Sequence, residues 1–321
     1  MIENIQILRA VAAINVIIFH IIIAAGDYQQ SSEWLLPLAG WGQNGVDLFF
    51  VISGFVMLHT QLQSRRTPWQ FLKMRLIRVV PLYWLMTLFV VALLWLLPQL
   101  FNNLSWQPVW ILSSFFFVAQ WVTQSYPVVF VGWTLEWELL FYVLFAIALF
   151  ISNWIWLCAL VTLGLAAIAF STGQYFILEF AYGMFAAWLV RHYQLSARFG
   201  LALCLVGIAA MLLTLLPDWR WPNLERAVAW GIPATVLLIG AVFAPQWQQP
   251  LLLRLGEASY SLYLIQILTI PAFYKGMSFW QRQFDPLLLA SGCLLITMFA
   301  GYLCHAWIER PMLRRLRQHF G

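Results

Sequence analysis

The segment LRAVAAINVIIFH, residues 8 to 20, is apolar but carries a cation near one end and an imidazole at the other. Arg9 and His20 are eleven positions apart, about three helical turns, so a helix presents both on one face roughly 16 Å apart along its axis. The apolar run around them is long enough to span a bilayer. An ionisable side chain inside lipid is costly, and it marks a functional site unless it merely packs one helix on another. The rest of the chain has to decide between those two readings.

Composition narrows the class. The 321 residues are 63% hydrophobic and 9% charged, against about 25% charged in soluble domains. This predicts an all-α, polytopic integral membrane bundle. It is expected as a single domain over residues 1–321, because no polar block is large enough to form a separate soluble unit. The 19 Trp residues suit many membrane interfaces, where the indole sits at headgroup depth. The N-terminal residues carry Glu3 and lack the basic region of a signal peptide, so the first helix is expected to be retained. Cys158, Cys204, Cys293 and Cys304 lie in apolar runs without paired spacing, which argues against disulfides and zinc, and no metal is expected.

Runs of spanning length occur near residues 5–25, 44–60, 80–98, 133–151, 153–170, 174–190, 199–216, 227–244, 257–275 and 286–308. The stretch from Trp110 to Trp121 is about twelve residues, short for a span and suited to an interfacial or re-entrant piece. Ten spans with both termini cytoplasmic put Arg65, Arg66, Lys73, Arg75, Arg78, Arg191, Arg198, Arg254 and the basic tail from Arg310 to Arg317 inside. Only Arg220, Arg226, Lys275 and Arg282 then fall outside, as the positive-inside rule requires. The net charge of +5 is thereby explained by topology, and no nucleic-acid partner is expected. With this topology His20, Asp47 and Glu138 lie at similar depth in the outer half of three different spans.

An imidazole beside a carboxylate is a general-base pair: the carboxylate fixes the tautomer and the other ring nitrogen takes a hydroxyl proton. His20 is therefore the candidate base, with Glu138 or Asp47 as its orienting partner; Asp47 has a second role open to it, capping its own helix. Arg75 and Arg78, three apart, share a face at the cytoplasmic start of the third span. Guanidinium groups there suit the phosphates of a nucleotide-bearing donor, although basic residues beside a span also serve topology alone. Glu138 and Tyr142 share a face, while Glu136 points away from Glu138; a place in the headgroup region is one role open to it. His305 and Glu309 form a helical pair near the inner surface.

Together these segments resemble the membrane-bound acyltransferase family 3. The resemblance rests on Arg9 and His20 with ten residues between them, and on GVDLFFVISGF from Gly45 to Phe55. It extends to Arg75, Arg78, Pro81 and Tyr83, to Trp133, Thr134, Leu135, Glu138, Phe141 and Tyr142, to ASYSLYLIQ from Ala258 to Gln266, and to Glu309, Arg310 and Pro311. It covers residues 7 to 311. The chain departs from the family pattern at Gln266, where many members carry His, and at Glu136, a position that is often uncharged.

The resemblance implies O-acylation of sugars of surface polysaccharides from a coenzyme A thioester in a bacterial inner membrane. The wording VGWTL and the lack of an appended esterase-like domain resemble the exopolysaccharide acetyltransferase branch. The expected donor is acetyl-CoA or another short acyl-CoA, with Arg75, Arg78 and Arg9 at its phosphates. The expected acceptor is a polysaccharide or lipid-linked glycan, and membrane lipids surround the bundle. A transporter of a lipid-linked sugar is the rival class, since buried charge also marks transport pathways.

Overall fold

The computed structural model describes residues 2–28, 35–101, 107–216, 226–279 and 284–320. Regular structure is helical throughout, with no strand among the described residues. The first half comprises α1 (Glu3–Asp27), α2 (Leu36–Gly42), α3 (Asn44–Gln63), α4 (Pro68–Leu96), α5 (Pro108–Phe115), α6 (Ala119–Thr123), α7 (Trp133–Ala148) and α8 (Trp154–Thr172). The second half comprises α9 (Glu179–His192), α10 (Ala197–Leu213), α11 (Ile232–Phe243), α12 (Pro250–Glu257), α13 (Ser259–Ser278), α14 (Pro286–Cys304) and α15 (Arg310–Phe320). π-Helical turns lead into α11 (Ala227–Gly231) and join α14 to α15 (His305–Glu309). Arg220 and Arg282, assigned to the outer side by the charge count, lie outside the described residues.

Among the described residues, six helical stretches are long and apolar enough to cross a membrane: Glu3–Asp27, Gly40–Gln63, Pro68–Leu96, Phe130–Ala148, Trp154–Thr172 and Pro286–His319. Ala197–Leu213 and Ala227–Phe243 are shorter apolar helices. The remaining two apolar runs form α9 and α13. Their composition is diluted by Glu179, Ser259, Ser261 and Gln266, all of which are buried inside the bundle. A helix enclosed by other helices can carry such groups where a lipid-facing one cannot.

α3 lies at the centre and α8 at the rim: 67% of the Gly40–Gln63 window is buried, against 22% of Trp154–Thr172. Outward-facing Leu163 and Phe170 on α8, Leu205 and Val206 on α10, and Leu295 and Phe299 on α14 present the apolar surface that lipid solvates. α3 packs on α1 and α9, and α1 also contacts α12, α13 and α14. The approach of α3 to α9 is set by two glycines. A Cβ on Gly54 would strike the Phe180 carbonyl, and one on Gly183 would strike the Val51 carbonyl, so only hydrogen fits at either crossing point.

Local sequence accounts for the helix boundaries that matter to the site. Thr67 begins α4 with a capping box: its side chain accepts from Gln70 N at 3.3 Å while Gln70 Oε1 accepts from Thr67 N at 3.1 Å. Pro68 follows at the first helical position, where its missing N–H does no harm. The segment 110–121 divides into α5 and α6, separated by a turn at Phe117 with φ +58°. Tyr83 and Trp84 of α4 hold this piece by donating to the carbonyls of Ser114 (3.1 Å) and Phe115 (2.9 Å).

The sequence leaves the role of Glu136 open, and the structure gives it one. It is buried, and its two carboxylate oxygens accept from Ala119 N (3.0 Å) and Gln120 N (3.1 Å), serving the first N–H groups of α6. A short helix has those donors unsatisfied and carries positive charge at its start, which is what a carboxylate complements.

Candidate active site

An elongated cavity of about 170 Å³ runs between α1, α3, α4, α7 and the first turn of α13. Arg9, Arg75 and Arg78 line it, with Ser53, Glu138, Tyr142 and Ser259. Its α3 wall extends from Met57 to Val46, about 16 Å of helix at 1.5 Å per residue. A whole nucleotide-bearing ligand needs several hundred Å³, so this space admits a slender arm or the end of a larger molecule.

Three expected donor-binding residues thus meet at one cavity, drawn from α1 and α4. Arg9 Nη1 donates to Gln6 Oε1 one turn away at 3.2 Å. Arg78 forms an ion pair with Glu309, whose side chain is fully buried at the π-helical turn before α15. Glu309 also accepts from Ser261 Oγ (2.6 Å) and meets His305 Nδ1 at 2.8 Å. Arg78 is therefore oriented from the far end of the chain, and Tyr260, whose hydroxyl donates to Val79 O at 2.6 Å, lies against its guanidinium. Arg75 Nε and Ser259 Oγ are buried and have no hydrogen-bond partner among the described residues.

Glu138 lies in this cavity and not beside His20. Its Oε1 accepts from Ser53 Oγ (2.8 Å) and from Tyr142 OH (2.6 Å), which fixes two hydroxyls in the wall. The shared face of Glu138 and Tyr142 follows from their i, i+4 spacing.

Asp47 is elsewhere again. It is fully buried in the first turn of α3 and takes a two-pronged contact from Arg226, Nε to Oδ1 at 2.9 Å and Nη2 to Oδ2 at 3.0 Å. No side chain caps α3, so the capping role is replaced by this ion pair. Glu179, also fully buried, lies beside the Asp47 carboxylate. The expected carboxylate partner of His20 is thus neither Glu138 nor Asp47, because each is committed to groups on other helices.

The partner is Gln266. His20 Nδ1 lies 3.0 Å from Gln266 Oε1, and Gln266 Nε2 donates to Tyr263 O at 2.8 Å. With its amide nitrogen spent on that carbonyl, Gln266 presents oxygen to the ring. Nδ1 must therefore carry the proton, and Nε2 is left as the basic nitrogen. Phe19 and Phe130 flank the imidazole with centroids at 4.7 and 5.1 Å. Tyr263 lines the cavity, so Gln266, one turn further along α13, sets His20 just beyond that end of it.

Sequence reasoning missed Gln266, Ser259 and Glu309 as members of the site. All three fall in the segments ASYSLYLIQ and Glu309-Arg310-Pro311, so the signal was present as a motif without a role. Arg226 gave no motif signal at all.

A family model described as acyltransferase domain, of the acyltransferase 3 type, matches residues 2–306. The chain is 35% identical over 305 residues to the exopolysaccharide production protein ExoZ of Rhizobium meliloti (strain 1021), covering 86% of this chain and 91% of that protein. It is 25% identical over 341 aligned positions to the acyltransferase MdmB of Streptomyces mycarofaciens, covering 90% of this chain and 85% of that protein. No solved structure gives a significant match. With a match that takes in α1 through α14 and every segment lining the cavity, the chain belongs to the acyltransferase 3 family and is a membrane O-acyltransferase.

Proposed function

We propose that the protein transfers an acetyl or other small acyl group from acyl-CoA at the cytoplasmic face to a hydroxyl of an exported or cell-surface polysaccharide, or of its lipid-linked precursor. The observation that carries this reading is the narrow cavity with three arginines at its wall and His20 beyond its end. A thioester donor has that shape: phosphates at one end, a slender arm, and a reactive carbonyl at the tip. The unpartnered Arg75 Nε and Ser259 Oγ fit a ligand with anionic oxygens, since buried donors seldom go unbonded. The named role of ExoZ in exopolysaccharide production favours a glycan acceptor.

In this reading the bundle crosses a bacterial inner membrane ten times with both termini cytoplasmic. Arg9, Arg75 and Arg78 hold the donor phosphates. His20 takes the acceptor hydroxyl proton at Nε2 as the oxygen attacks the thioester carbonyl. The C–S bond breaks, and His20 returns the proton to the departing sulfur, so no net proton is consumed. Gln266 keeps the imidazole in the productive tautomer. Glu138 fixes Ser53 and Tyr142 and balances part of the arginine charge.

The test is release of free coenzyme A thiol by the purified protein, dependent on added glycan acceptor. His20→Ala should lower the rate by about 10²- to 10⁴-fold, the usual worth of a general base, with membrane insertion intact. Full activity in that variant would sink the assignment. A transporter would release no thiol.

A further inference from the structure

We infer that the first turn of α13, through Ser259 Oγ, forms a phosphate-binding subsite facing Arg75. α13 is a 20-residue helix whose N-cap is Ala258, a residue with no side-chain oxygen to serve the N–H groups of the first turn. Such a helix start attracts anions. The other polar side chains of that turn are already engaged: Tyr260 OH with Val79 O at 2.6 Å, and Ser261 Oγ with Glu309 Oε2 at 2.6 Å. Ser259 differs from both. Its side chain is buried at 1% exposure, its hydroxyl has no partner among the described residues, and it lines the cavity.

Arg75, which lines the same cavity, likewise has a buried Nε with no hydrogen-bond partner among the described residues. Two unbonded donors on α13 and α4 therefore line one space. The charges agree with an anion: Arg9, Arg75 and Arg78 face Glu138 and, through the Arg78 ion pair, Glu309. Three guanidinium groups against two carboxylates leave one positive charge before any ligand binds. Arg78 has one guanidinium nitrogen spent on Glu309, which shifts the direct phosphate contacts toward Arg75 and Ser259. The ligand class is a phosphate ester or diphosphate. Coenzyme A supplies one source, in which case the subsite rests on the donor reading above, and the diphosphate of a lipid-linked glycan supplies another.

The experiment is equilibrium binding of coenzyme A, inorganic pyrophosphate and pantetheine to the full-length protein in lipid nanodiscs. Ser259→Ala should weaken both phosphorylated probes about tenfold, the worth of a hydrogen bond to a charged group, and leave pantetheine unchanged. Ser259→Thr should retain binding. If Ser259→Ala unfolds, the near-isosteric pair Ser259→Thr and Ser259→Val carries the same contrast. Unchanged affinity for both phosphorylated probes, an equal loss for pantetheine, or no binding of any probe by the parent protein overturns the subsite. Coenzyme A binding without Ser259 dependence defeats the subsite and leaves the donor reading standing. Ser259-dependent binding of pyrophosphate without binding of coenzyme A does the reverse and points to the lipid-linked diphosphate.

Discussion

Asp47 and Glu138 are carboxylates of similar depth in the sequence, and the structure gives them opposite surroundings. Asp47 has no exposure and is matched by Arg226 on both oxygens, so the protein itself supplies its counter-charge. Glu138 lines a cavity with three arginines and holds two wall hydroxyls through a single oxygen. An ionisable residue in a membrane helix signals function only when its surroundings include space for a ligand. When a second protein charge fills that space, the pair is architecture.

The contrast can be broken first at the ion pair. Asp47→Ala should cost about 3–5 kcal/mol of stability by leaving Arg226 buried and uncompensated. Thermal unfolding in detergent measures it, and the double variant with Arg226→Leu should recover much of the loss. A fully stable Asp47→Ala protein would erase the distinction drawn here. Glu138→Gln should do the opposite, holding stability within about 1 kcal/mol while acyl transfer falls about tenfold through the altered field and weakened Ser53 and Tyr142 contacts. A melting point shifted as far as that of Asp47→Ala would make Glu138 architecture too.

Gln266→Ala should lower turnover by roughly tenfold as the His20 tautomer is released, with no change in donor affinity; a change confined to donor affinity would detach Gln266 from the base. Ser53→Ala, which removes one hydroxyl from Glu138, is the smallest effect. A severalfold rate loss is expected, since one hydrogen bond contributes about 1 kcal/mol, measured by the same thiol-release assay.

Much of the fold was legible because a bilayer restricts the choices: apolar runs of the right length become helices, and each of the ten runs is helical. The Arg9 and His20 spacing, the shared face of Glu138 with Tyr142, and the His305–Glu309 pair were legible for the same reason. Each is an intrahelical relation fixed by 3.6 residues per turn. The role of Glu136 was not legible because its partners belong to α6, a helix too short to announce itself by periodicity.

The sequence by itself determined the helices, the membrane class, the family and which charges share a helix face. The tertiary structure alone decided which charge meets which partner. His20 finds Gln266 across 246 positions, Arg78 finds Glu309 across 231, and Asp47 finds Arg226 across 179. Helical periodicity orients a side chain around its own axis. Contact between helices depends on how closely and at what height two axes pass, and that is set by packing such as the crossing of Gly54 and Gly183.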